Sequence, residues 1–162
     1  MTATKRRGVN RVIWNLRYAD LAPAGPVVAT GEEGAPGGGR PRGRFVSPGD
    51  YTVRLRVDGQ QYEKKMAVRE DPRIDITAAD ARAWRETQAT AGELYKRAVA
   101  IDARLTSAAA GPTLAERRRL ARELMGRLSS LYNDLDRWTG RPTAGQLSRL
   151  AHYRSLVETL ER

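Results

Sequence analysis

One histidine, no cysteine and a few neighbouring carboxylates are all that this chain offers to chemistry. His152 stands beside Tyr153 in a segment of helical spacing, and nothing in the pattern marks a partner for it. It reads as a surface or half-buried helical histidine. A zinc site would have to be built from carboxylates, a donor set zinc rarely accepts. Three acidic groupings remain. Glu32-Glu33 lies in a glycine-rich stretch that holds no geometry. Glu70-Asp71 flanks a strand exit and reads as capping or solvating a turn. Asp134 and Asp136 fall on the solvent side of a helix relative to Leu135. None has the burial that would lift a carboxyl group into the range of a general acid. The run Gly37-Gly38-Gly39-Arg40 has no strand before it and no helix directly after it, so it reads as loop rather than as a phosphate cradle. The sequence contains no nucleophile elbow and no dinucleotide fingerprint. Arg117-Arg118-Arg119 could grip an anion, but position 117 falls on an apolar stripe, where an arginine snorkelling at a bundle end accounts for it. The expectation is no catalytic, cofactor-binding or metal-ligating residue, and no enzyme activity in this chain.

The elements that would position these residues divide by period. Val12, Trp14 and Leu16 alternate with Arg11, Ile13, Asn15 and Arg17, which predicts a strand. A breaker stretch follows over residues 23–47, rich in Gly and Pro, and reads as a flexible loop. After Pro48-Gly49 the alternation returns: Tyr51, Val53, Leu55 and Val57 share one face, and Thr52, Arg54 and Arg56 the other. Asp58-Gly59 is a type I′ hairpin signal, because both central residues must take positive φ. That turn places Val57 opposite Gln60, Leu55 opposite Tyr62 and Tyr51 opposite Met66, with Lys64 the one misfit on an apolar face. Asp71-Pro72-Arg73 closes the β region.

Beyond Ile76 the period changes to 3.6. Thr77 with Asp80 predicts the start of a helix over residues 77–109, with Trp84, Thr87, Ala91, Leu94, Ala98, Ile101, Leu105 and Ala108 on its inner face. A second helix, over 114–138, is expected to open at Thr113 with a Glu116 capping box and to bury Leu114, Ala121, Leu124, Leu128, Leu131, Leu135 and Trp138. A third, over 144–161, is capped by Thr143 with Gln146 and buries Leu147, Leu150, Tyr153, Val157 and Leu160. Trp14 and Trp84 read as core anchors rather than stacking platforms. Glu93 with Arg97, Glu123 with Arg127 and Glu158 with Arg162 supply i,i+4 pairs. Short Gly/Pro turns between the stripes imply antiparallel neighbours. The fold class is therefore α+β: a partial antiparallel β unit over residues 1–75 and an antiparallel three-helix bundle over 76–162.

The 162 residues are 40% hydrophobic and 6% aromatic, which allows a thin core. Mean hydropathy is -0.60, and no apolar run is long enough for a membrane span. The basic N-terminus lacks an apolar stretch behind it, so it does not read as a secretory signal, and the compartment stays open. A net charge of +10 invites a nucleic-acid reading. The charge is nearly all arginine, however, and evenly spread: 14 basic against 9 acidic side chains in residues 1–75, and 15 against 10 in residues 76–162. A binding footprint should be lopsided, so nucleic-acid contact beyond non-specific electrostatics is not expected.

Three motifs in order carry a family resemblance. Gly8-Val9-Asn10-Arg11-Val12-Ile13-Trp14-Asn15-Leu16-Arg17-Tyr18 resembles a G-x-N-R-x-x-W-D-L-R-Y motif, and the stretch from Ser47 through Gly59 resembles P-G-x-Y-T-V-x-L-x-V-D-G. With Asp71-Pro72-Arg73 and a helical tail, the chain resembles the C-terminal region of bacterial sortilin-like, BNR-repeat β-propeller proteins, sometimes labelled glycosyl-hydrolase-like and often exported. The resemblance implies an immunoglobulin-like β unit, a non-catalytic structural or interaction role, and a fragment, a mis-called reading frame or a split gene product. It also implies a protein partner, either a propeller region or a second copy. Asn15 departs from the usual Asp, and both the preceding strands and the propeller are missing from the sequence. Two rival readings stand: an accessory wall of a glycan site, with Tyr18 and Tyr51 as its aromatics, and an arginine-rich nucleic-acid-binding protein. Three strands cannot close a sandwich, so an apolar face is expected to stay open unless the first helix folds over it through Trp84.

Overall fold

The computed structural model describes residues 7–21, 42–108 and 111–162. The expected flexible segment falls mostly on residues 22–41, outside the described residues, as do Glu32-Glu33 and Gly37-Gly38-Gly39-Arg40. The element order is β1 (Gly49–Val57), β2 (Gln60–Val68), α1 (Ala78–Ser107), α2 (Pro112–Arg137) and α3 (Ala144–Glu161). The class is α+β: a two-stranded antiparallel sheet followed by three packed helices. The chain separates into two compact units, residues 1–18 with 45–75 and residues 19–44 with 76–162.

In the first unit the hairpin register is the one its turn chemistry dictates. Val57 pairs with Gln60, Leu55 with Tyr62 and Tyr51 with Met66. Asp58 (φ 48°) and Gly59 (φ 81°) hold the two positive-φ positions of the turn. Residues 11–17, by contrast, do not form the predicted strand. Leu16 takes φ 57°, a left-handed conformation that breaks an extended run. The cause lies next to it: Asn15 Oδ1 accepts the amide of Arg17 at 3.1 Å, and Trp14 Nε1 donates to the Arg17 carbonyl at 3.2 Å. An Asn side chain has satisfied a backbone group that a ladder would otherwise claim. What survives of the pairing is one antiparallel bridge, Arg17 to Phe45, with the Val46 amide on the Leu16 carbonyl at 2.9 Å. Residues 45–46 therefore belong to the ordered unit rather than to the loop, and Val46 is buried.

The second unit buries a heptad seam. Ala91, Leu94, Ala98, Ile101 and Leu105 of α1 meet Ala121, Leu124, Leu128, Leu131 and Leu135 of α2, with Leu150, Tyr153, Val157 and Leu160 of α3 closing the core. Trp84 packs against this cluster and donates its Nε1 to the Leu135 carbonyl at 2.8 Å, so it is engaged among the helices. Thr77 accepts the Asp80 amide at the start of α1, and Thr143 with Gln146 forms a full capping box on α3. The start of α2 differs from expectation. Gly111 is its N-cap, Pro112 supplies the first turn, and no side chain caps it. The Thr113–Glu116 box therefore does not form.

Three side chains of the expected stripes lie outside the core. Trp138 caps the end of α2 and turns its Nε1 onto the Arg141 carbonyl. Leu147 is exposed because Gln146 takes the buried slot at the start of α3. Ala108 lies just past the end of α1 and is exposed. The pairing of Glu93 with Arg97 is also replaced: Glu93 binds Lys96, and Arg97 grips Glu161 through two bonds of 2.8 and 2.6 Å. Glu123 and Arg127 pair as spacing predicts, at 2.6 Å.

Candidate functional site

The residues singled out for chemistry are scattered. His152 is exposed on α3 and lies tilted against its neighbour Tyr153. Asp134 is exposed and reaches Arg149 at 3.4 Å, while Asp136 accepts a bond from the buried Gln88 at 3.0 Å. Asp71 accepts both the amide and the guanidinium of Arg73. Those hydrogen bonds push the Asp71 carboxyl below the usual carboxylate range, the opposite direction from what a general acid needs. Glu161 is lowered in the same way, chiefly by its hydrogen bonds from Arg97. Among the described residues no group of three His, Asp or Glu side chains converges on a point that could hold a metal ion.

The arginine triplet has a structural occupation. Arg117 is half-buried and donates from Nη2 to the Leu160 carbonyl at 2.8 Å, satisfying one of the free carbonyls at the C-terminal end of α3. Of the tyrosines considered for sugar stacking, Tyr51 has its ring against Trp14 in an edge-on pair (centroids 5.6 Å apart, planes at 63°) and its hydroxyl on the Ser47 carbonyl at 2.6 Å. Tyr18 is exposed. A groove of about 190 Å³ runs between α2 and α3, lined by Leu120, Leu124, Leu156 and Leu160 with Glu123 and Arg127 at its rim. That ion pair closes on itself and leaves the groove almost wholly apolar.

The surface that stands out is the hairpin. Its two faces are built differently. On one, Arg54 bonds Glu63 at 2.8 Å and Arg56 bonds Gln61 at 3.2 Å, cross-strand pairs of a solvated face. On the other, Val53 (49% exposed), Leu55 (49%), Val57 (45%) and Tyr62 (55%) stand together in the open. Cover on this face is graded along the strands. At the base Tyr51, Met66 and Val68 are half-buried, with Trp14 edge-on to Tyr51; toward the turn Leu55, Val57 and Tyr62 have no comparable aromatic cover among the described residues. A hairpin of complete register thus presents a bare apolar ribbon. Spacing alone revealed this face. The missed features were polar: Gln88 and Ser129 are buried, and no apolar stripe could have announced them.

Comparison of this chain with protein-family models, with curated proteins and with solved structures finds no match.

Proposed function

We propose that this chain is a non-catalytic structural and interaction module that engages other polypeptide through the apolar face of its hairpin. The observation that carries the reading is the joint exposure of Val53, Leu55, Val57 and Tyr62 on a hairpin whose register is complete. Four such side chains on one face favour association over solvation. The motifs around Trp14, Tyr51 and Asp71 support, on resemblance, a position at the tail of a sortilin-like β-propeller protein, with the role of a spacer or docking element. Its α1, at 30 residues, is about 45 Å long and suits that role.

The test is an apolar dye whose fluorescence rises on bare hydrophobic surface, added to the full chain at submicromolar concentration. Dye binding should fall sharply in Leu55→Asn and Tyr62→Ser variants that keep the wild-type circular dichroism. Binding that ignores both substitutions places the accessible apolar surface elsewhere and defeats the reading. For the family assignment, the DNA upstream of the reading frame should encode an in-frame propeller, and unrelated sequence there would refute the tail assignment.

A further inference from the structure

The occupant of the hairpin face can be argued from the charges at its two ends. Lys64 pairs directly with Val53, so it projects from the apolar face at the boundary where cover by the base begins. Asp58 stands at the other end, in the turn. Between them on that face lie Leu55, Val57, Gln60 and Tyr62, with Val53 beside Lys64. Both charged residues are exposed, and among the described residues neither is in an ion pair. Among the described residues the face is thus an apolar ribbon with an unpaired cation at one end and an unpaired anion at the other, roughly 17 Å apart at ~3.4 Å per residue.

Such a ribbon is complementary to itself under one operation. A two-fold axis lying in the plane of the interface, across the strands at the level of Leu55 and Tyr62, turns a second copy over and reverses it. The turn of each hairpin then lies over the Lys64 end of the other. The apolar centres meet, and Lys64 of each copy comes to the Asp58 turn of its mate, twice by symmetry. The parallel arrangement would instead bring Lys64 level with Lys64 and the two Asp58 turns to the same end. The reversed arrangement is closed, because each copy offers the same face to the other and each face is used once. Lys64, a misfit on an apolar strand, gains a reason: it sets the direction of pairing in the way interfacial charges set register elsewhere.

We infer that the hairpin face binds a second copy of this chain in an antiparallel, two-fold arrangement, with reciprocal Lys64–Asp58 ion pairs bracketing Leu55 and Tyr62. The inference rests on the reading of that face as a docking surface and adds its occupant. A ribbon of this size is at the small end for a protein interface, so the dimer is a weak one.

Sedimentation velocity on the full chain, from about 1 μM to about 1 mM, tests it. The expected result is a concentration-dependent monomer–dimer equilibrium. Lys64→Gln should weaken dimerisation roughly 2- to 30-fold, since two exposed pairs are lost per dimer. Asp58→Asn, which keeps a residue suited to the turn, should do the same, and the double variant should be no weaker than the poorer single one. Leu55→Asn should abolish the dimer over this range. In a mixture of isotopically labelled and unlabelled chains, a carbodiimide should join Lys64 of one copy to Asp58 of the other. A clean monomer at every concentration overturns the dimer and leaves the docking surface standing, because the dye measurement is made on monomer. A dimer indifferent to Leu55→Asn overturns both. Sensitivity to Leu55 without sensitivity to Asp58 or Lys64 overturns the antiparallel arrangement.

Discussion

Gly92 sits on the buried side of α1, and a methyl group there would meet two obstacles. An ideal Cβ at this position lies 3.1 Å from Cδ1 of Leu21 and 3.2 Å from Cε2 of Tyr132. Two effects of similar size then compete in Gly92→Ala. Alanine is preferred over glycine in a helix interior by about 1 kcal/mol. Overpacking a filled site costs about 1–3 kcal/mol. The single variant should therefore be destabilised by ~1 kcal/mol, the steric effect narrowly winning. Leu21→Ala removes the methyl groups that cause half the conflict. It costs about 1 kcal/mol by itself, since Leu21 is only partly buried and full burial of a leucine contributes about 1.5–3 kcal/mol. Once Leu21 is shortened, Gly92→Ala keeps its helical gain and meets only Tyr132. The Tyr132 contact is common to both backgrounds and cancels. The double variant should thus be more stable than additivity allows by ~1 kcal/mol. Urea unfolding followed by helical circular dichroism, on the wild type, both single variants and the double variant, measures this coupling. A coupling below about 0.3 kcal/mol would mean that Leu21 does not rest on α1 at Gly92, and the argument would fail.

Three further outcomes are expected. Because Arg97 holds the Glu161 carboxyl below its ordinary value, its folded pKa lies under its unfolded one. The pair's contribution is fully present above the ordinary glutamate pKa and is lost as pH falls through the depressed folded value. The urea midpoints of wild type and Glu161→Gln should therefore differ near neutral pH and converge in strong acid; a constant difference would contradict the assignment. Thr143→Ala should cost ~1 kcal/mol by removing the cap of α3, while Thr113→Ala should cost far less, since Thr113 caps nothing. Equal losses in thermal unfolding would overturn the helix starts described above. Trp84→Phe should lose about 1 kcal/mol with the bond to the Leu135 carbonyl, read as a lower urea midpoint; no change would mean that bond contributes nothing.

Where the determinants are local, the sequence shows them. The hairpin register follows from Asp58-Gly59 and an alternation of nine residues per strand. The caps at Thr77 and Thr143 need only neighbours three positions away. Failure came where a distant or competing partner decides. Alternation through Val12, Trp14 and Leu16 was overruled by the Asn15 side chain, a bond that costs the strand its extended backbone at Leu16. Arg97 had a suitable glutamate one turn away in Glu93 and chose Glu161 on another helix. The face at Val53, Leu55, Val57 and Tyr62 was legible as apolar, but how far it stands bare depends on where Trp14 ends its cover, which only the fold reveals.

The bond from the Gly43 amide to Asp20 Oδ1, at 3.0 Å, joins two points of chain separated by 23 positions. With Leu21 seated against Gly92 beside it, that bond works as a clasp: it returns the backbone to nearly the place it left. Asp20 and Gly43 are thereby held as neighbours, and Asp20→Ala should release the backbone beside Leu21.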